Sequence, residues 1–296
     1  RDQRGLLGRR HDVHDEHGTA ARPRGPDRPP RAGLARLAAI REALEVSLSE
    51  QYRRQARWRR WSALLDELPL APGQRVLDLG CAVGEQSALL AARGCQVLGL
   101  DGDRELLAAA RARSIAGATF EYADLRDPVP AATPEVDGVW CSFVPAYFPD
   151  LDAFVLRWSA KLRPGGWIAL VEVDDFFAHE PLPAAIRALL EGFVAQSAAA
   201  DLYDFRAGRK LAGAVARAGL TDIVERVVAD DELSFHGPAS PEVRTAWAQR
   251  LDRMRGLQAF AGASFSALRE ALLSCLAAPD HRSGCRVLAV RARRPA

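Results

Sequence analysis

Val76-Leu77-Asp78-Leu79-Gly80-Cys81-Ala82-Val83-Gly84 is an apolar run that ends in a glycine turn. Together with Arg75 it predicts a short strand buried on both faces. Gly80 and Gly84 allow the backbone to approach a ligand where a Cβ would collide. The following helix is expected to begin at this turn, with its free amide groups directed at the ligand. Open α/β sheets bind their ligands at such a crevice, beyond the carboxyl ends of the strands.

Working outward, strands and helices alternate. Helices are predicted over 87–93, 104–113 and 151–162, and strands over 96–100, 118–122, 136–142 and 167–173. This spacing suits parallel βαβ crossovers. Beyond Asp174 the alternation loosens. Residues 183–200 and 206–218 read as helices, 221–228 as a strand, 240–278 as mostly helical, and 285–290 as a last strand. On the amino-terminal side Leu34, Leu37, Ile40, Leu44 and Leu48 form an apolar helical stripe, and Glu50 to Leu68 forms a second one closed by Pro69 and Pro72. The expected division is a disordered tail at 1–32, helices at 33–72 and a ligand-binding core at 73–173. A helical insertion follows at 174–205, and the rest of the core at 206–296 carries a second insertion at 231–281.

Asp101 ends the second strand, about twenty residues past the glycine turn, where a carboxylate can accept both hydroxyls of a ribose. Dinucleotide sites share that acid, so it does not by itself decide the ligand. The loop does: a pyrophosphate-binding fingerprint is G-x-G-x-x-G, whereas Ala82 stands at the second glycine and Glu85 and Gln86 follow Gly84. An acid at the helix start repels a pyrophosphate.

In these motifs the sequence resembles the class I S-adenosylmethionine-dependent methyltransferases, over roughly Tyr52 to Val173. The glycine turn resembles that family's nucleotide-binding loop, with Ala82 at a position often occupied by glycine. Leu98-Gly99-Leu100-Asp101-Gly102-Asp103 resembles the ribose-binding segment, and Tyr122-Ala123-Asp124-Leu125 the segment that contacts adenine. Val136 to Ser142 resembles the fourth strand beside the methionine moiety, and Lys161 to Trp167 the turn into the fifth strand. The resemblance implies a Rossmann-like seven-stranded, mostly parallel sheet with helices on both faces, its last strand antiparallel, and S-adenosyl-L-methionine as cofactor. It further implies cofactor contacts at Asp78, Gly80, Cys81, Gly84, Gln86, Asp101, Gly102, Asp124, Leu125, Cys141 and Ser142. Tyr52, Arg53 and Trp58 lie on the helix that in this family closes over the cofactor, and packing against the core is their alternative role.

Methyl transfer from a sulfonium is an in-line displacement that needs alignment and exclusion of water, and a base only when the nucleophile must lose a proton early. Candidates on the acceptor side are Tyr147, Glu172 and His179. Tyr147 could orient an acceptor by stacking or through its hydroxyl. His179 titrates near neutrality and could act as a base. Glu172 could bind an amine or brace its strand. Tyr203 and His236 are further candidates. The two insertions read as a helical lid suited to a small, partly apolar acceptor, aromatic or of specialised metabolism.

Lys+Arg number 40 against 38 Asp+Glu, a formal charge of +2, which exerts no global pull on nucleic acid or anionic membrane. No apolar run approaches the ~20 residues of a membrane span. Five scattered cysteines form no CxxC pair, and the amino-terminal stretch lacks the apolar core of a secretory signal. A reduced, cytoplasmic protein without a bound metal is expected, although His11, His14 and His17 form a conceivable metal cluster. Two other functions compete: a cofactor-binding regulatory subunit without turnover, and a nucleic-acid or protein methyltransferase.

Overall fold

The computed structural model describes residues 48–296. The expected tail, the stripe from Leu34 to Leu44 and the cluster at His11 to His17 lie outside the described residues. Two helices, α1 (Leu48–Arg57) and α2 (Trp61–Asp66), precede the first strand. Next come β1 (Arg75–Leu79), α3 (Glu85–Ala91), β2 (Gln96–Asp101), α4 (Arg104–Ala112) and β3 (Ala118–Tyr122). After β4 (Val136–Ser142) and a 3-10 turn at Pro145–Tyr147 come α5 (Leu151–Ser159) and β5 (Leu162–Asp174). The first insertion holds β6 (His179–Glu180) and α6 (Ala184–Ala199). A 3-10 turn (Gly208–Lys210) then leads into α7 (Leu211–Arg217) and β7 (Thr221–Val228). The second insertion holds α8 (Pro241–Arg253), α9 (Arg255–Ala261) and α10 (Phe265–Ala277). It is followed by β8 (Arg282–Ser283) and the last long strand, β9 (Arg286–Arg293).

The main sheet has seven strands in the order β3-β2-β1-β4-β5-β9-β7. β1 pairs in parallel with both β2 and β4, and β9 runs antiparallel between β5 and β7. The strand order reverses between β1 and β4, and such a switch point opens a crevice at the carboxyl ends of the strands. This is the Rossmann-like sheet that the resemblance implied, with its antiparallel last strand.

Burial follows from the two-sided cover. Along β1, Val76 faces one layer and Leu77 and Leu79 face the other. The second layer also holds Phe154 and Trp158 of α5 and Leu211 and Val215 of α7. The layer around Val76 is larger, because both insertions join it: Trp61, Trp140, Phe193, Trp247, Leu251 and Leu268 share that core. β6 of the first insertion pairs with β8 after the second, His179 opposite Ser283, so the two insertions form one continuous cover. Side-chain caps set helix starts where the sequence offers them. Asp103 accepts from the amides of Glu105 and Leu106 before α4, and Ser240 from Val243 before α8.

Several boundaries differ from expectation, by two to three residues at α3, α5 and β9 and by more at β5 and α7. β5 begins at Leu162 rather than Trp167: Leu162 pairs with Val136, the expected turn at Pro164-Gly165-Gly166 survives as a break with Gly165 at a φ of 74°, and pairing with β4 resumes at Trp167 after a register shift. α7 is shorter than the expected 206–218, because the chain ahead of it forms a separate 3-10 turn. Among the described residues no helix is long and apolar enough to cross a membrane.

Candidate functional site

Three strand ends converge at the switch point: Gly80 after β1, Asp101 closing β2, and Ser142 closing β4. The amides of Gly80 and Cys81 both donate to the Leu100 carbonyl, at 2.7 and 3.1 Å, which bends the chain back over β2. Gly80, Ala82 and Gly84 all have positive φ, at 73°, 47° and 75°. At Ala82 this region is disfavoured for an L residue. Its amide is held there by a 2.8 Å bond to Asp101 Oδ2, while Asp101 Oδ1 accepts from the Asp103 amide at 2.8 Å. A carboxylate offers about four acceptor sites, and two are used here, so Asp101 keeps capacity for two hydroxyls. Burial raises its pKa. An adenosine ribose therefore fits the donor and acceptor pattern of this strand end.

Internal packing also requires the glycines. A Cβ on Gly80 would lie 2.2 Å from Val144 Cγ2, and one on Gly84 2.8 Å from the Phe120 ring. Glu85 at the helix start is paired with Arg113 at 2.9 Å.

The other expected cofactor residues divide by depth. Asp78 is 1% exposed and accepts from Ser87 Oγ at 2.5 Å. Burial raises its pKa to about 7, against the lowering effect of the Ser87 hydroxyl. Cys81, Leu125 and Cys141 are buried in the apolar layers. Gln86 and Ser142 are half-buried and Gly102 is exposed. Asp124 is half-buried and holds Arg126 at 3.0 and 2.9 Å. On α1, Tyr52 and Arg53 are half-buried, and Arg53 lies 3.7 Å from Glu50. α1 packs against α4, the helix that follows β2, and burial, then the charge of Asp101, push the Tyr52 phenol up.

On the acceptor side, Glu172 is fully buried in β5. Its Oε2 accepts from the Ala146 amide at 3.1 Å and its Oε1 from Val173 at 2.8 Å, so it ties the 3-10 turn carrying Tyr147 to the sheet. Burial raises its pKa to about 7. Tyr147 is 38% exposed and meets Tyr203 edge-to-face at 4.8 Å. Enclosure of the hydroxyl ends and the nearby Glu172 push both phenols up, so both remain donors at neutral pH.

His179 lies elsewhere. It is 2% exposed within the insertions, 5.1 Å from the Trp247 ring and 3.0 Å from His281 Nε2. His281 Nδ1 lies 3.1 Å from the Gly237 carbonyl, so we assign the proton to that nitrogen. His281 Nε2 must then accept from His179 Nδ1. Burial, and then His281, lower the His179 pKa to about 3. It is a neutral residue in the core of the two insertions, and the structure does not bring it to Tyr147 and Glu172. His236 is exposed. Trp58 lies just past α1 and packs on the core. Among the described residues no group of three or more His, Cys, Asp or Glu is placed to hold a metal ion.

Sequence reasoning missed a buried ionic network. Arg59 donates to Asp230 at 2.8 Å and to Glu232 at 2.9 Å, and Arg250 reaches Glu232 at 2.6 Å. The amide of Asp231 also donates to the Trp58 carbonyl at 2.9 Å. This fastens the segment after α1 to the start of the second insertion. With 40 Lys+Arg in the chain and 171 positions between Arg59 and Asp230, no local pattern marks these residues.

Residues 77–170 match the family model described as a methyltransferase domain. A trans-aconitate 2-methyltransferase of Mycobacterium tuberculosis is 36% identical over 128 residues, 43% of this chain and 46% of that protein. Methyltransferase GfsG of Streptomyces halstedii is 31% identical over 182 residues, 60% of this chain and 63% of its own length. The matched stretch thus spans less than two thirds of either relative. The cyclopropane synthase MmaA2 from Mycobacterium tuberculosis shares the fold, with a TM-score of 0.51 at 16% identity over 79% of this chain and 82% of that one.

Proposed function

Since this chain belongs to the class I methyltransferase family, we propose that it transfers the methyl group of S-adenosyl-L-methionine to an oxygen, nitrogen or carbon atom of a small molecule. The observation that carries this reading is the bend at Gly80 to Gly84, locked to Asp101 by the Ala82 amide at the switch point of the sheet. The two named methyltransferase relatives support it, and trans-aconitate, in the name of one of them, is a small molecule.

When bound, the cofactor supplies an electrophilic methyl group on a sulfonium. Asp101 would hold the ribose hydroxyls with the lone pairs left by Ala82 and Asp103. Asp124 would accept from the adenine amino group, with Gly102 leaving that approach open. The chain from Cys141 to Ser142 would flank the methionine portion. Tyr52 and Arg53 would cover it from α1 and exclude water from the filled cleft. Tyr147 donates its hydroxyl to the acceptor, and Glu172 positions Tyr147 through the Ala146 amide. With His179 withdrawn into the lid core, no side chain of this group is poised as a base. The acceptor atom attacks with its own lone pair or electron-rich carbon.

Titration calorimetry with S-adenosyl-L-methionine tests the first half of this reading, with one-site binding expected and no heat up to ~1 mM contradicting it. Transfer of a labelled methyl group into small-molecule extracts tests the second half. Binding without any methylated product would favour a regulatory subunit instead.

A further inference from the structure

Two arginines beyond the tyrosines are unused by the reading above. Arg250 and Arg253 lie one turn apart near the end of α8. The Arg250 guanidinium sits 5.4 Å from the Phe176 ring centroid and 5.3 Å from that of Trp247. Its Nη2 forms an ion pair with Glu232 Oε1 at 2.6 Å, at an angle outside hydrogen-bond geometry, while its Nη1 is buried without any hydrogen-bond partner. Buried polar atoms are nearly always satisfied, and a cationic donor left open is a costly exception. Arg253 is half-buried. Its neighbour Asp252 is taken by Arg269 at 2.7 and 3.1 Å, and among the described residues no carboxylate lies within ion-pair distance of Arg253.

The surroundings specify what these groups can receive. Arg59 and Arg250 are paired with the carboxylates of Asp230 and Glu232, which leaves Arg253 as the arginine of this cluster without an ion-pair partner among the described residues. Burial, and then the neighbouring Arg250, lower the Arg253 pKa. A chain of ring contacts leads from the Arg250 guanidinium over Phe176 to Phe205, at 5.7 Å, and on to Tyr203, at 4.6 Å, beside Tyr147. The tyrosine pair, edge-to-face at 4.8 Å, offers an apolar wall beside this charge.

Resting on the methyltransferase reading of the cleft, we infer that Arg250 Nη1 and the Arg253 guanidinium receive a carboxylate of the methyl acceptor. The substrate class is then small carboxylic acids whose hydrocarbon body lies against Tyr147 and Tyr203. Planar guanidinium groups suit the two oxygens of a carboxylate.

The test is calorimetry on the full chain saturated with S-adenosylhomocysteine. Benzoate, cinnamate and octanoate are compared with their primary amides and with phenyl phosphate. At least one acid is expected to bind about tenfold or more tighter than its amide. Arg253→Gln should abolish that preference with S-adenosylhomocysteine affinity and melting temperature unchanged, and Arg253→Lys should restore part of it. No acid preferred over its amide, or phenyl phosphate preferred over every acid, overturns the assignment. So does a loss of S-adenosylhomocysteine affinity in Arg253→Gln, since the arginines would then serve the cofactor's own carboxylate. Failure of the wild type to bind S-adenosylhomocysteine at all would overturn the cofactor reading itself, a separate result.

Discussion

Gly80 meets two demands at once: a φ of 73° and a Cβ position already occupied by Val144. A left-handed residue costs ~1–2 kcal/mol and an overpacked contact ~1–3 kcal/mol. Gly80→Ala should therefore destabilise the fold by about 2–4 kcal/mol in urea unfolding, whether or not a ligand is present. Asp101 acts on binding instead. Asp101→Ala should weaken S-adenosylhomocysteine by roughly 1–3 kcal/mol in calorimetry, the loss of a charged acceptor; unchanged affinity would remove Asp101 from the site. Glu172 connects pH to stability. Its pKa rises on folding from 4.5 to about 7. Its neutral form is favoured in the folded state, so its contribution is complete below pH 4.5 and is lost as pH rises through 7. That loss is about 3 kcal/mol. Asp78, raised from 3.8 to about 7, acts in the same direction. Melting temperature should fall from pH 5 to pH 8, and Glu172→Gln should make the fall shallower. An identical slope would show that Glu172 ionises as freely in the fold as in the unfolded chain.

Among the elements, the join between α1 and the second insertion carries the most specific energetics. Arg59 is 7% exposed and faces two carboxylates with no exposure at all. Removing one partner of a buried pair strands the opposite charge, at a cost of about 3–5 kcal/mol. Arg59→Ala should lower stability by that order in denaturant unfolding and also weaken cofactor binding, because α1 carries Tyr52 and Arg53. A stability loss with intact cofactor affinity would separate the latch from the cleft. Element boundaries were legible where a cap or a buried run marks them. The strands 118–122, 136–142 and 221–228 stand where the sequence places them, and α8 begins after the Ser240-Pro241 cap. At Pro164-Gly165-Gly166 the turn residues mark a break in the pairing of β5 with β4, with Gly165 at positive φ, although the strand begins before it at Leu162.

Over the whole molecule, the sheet and its switch point were legible because they rest on short-range patterns: apolar runs, glycine turns and an acid at a strand end. The acceptor side was not. Glu172 was legible as a strand-end acid, but only the fold shows that it braces Tyr147. His179 looked like a base in a loop, and tertiary packing instead makes it a neutral partner of His281, 102 positions away. Arg59, Asp230, Glu232 and Arg250 are spread over α8 and the chain before the first and after the last crossovers, and only folding brings them together.

A crystal structure of the full chain with S-adenosylhomocysteine tests the central claim most directly. The account predicts both ribose hydroxyls about 2.5–3.0 Å from the Asp101 carboxylate, above the bend from Gly80 to Gly84. Adenosine density elsewhere in the molecule, or a strand-end crevice that stays closed by protein side chains, would contradict it.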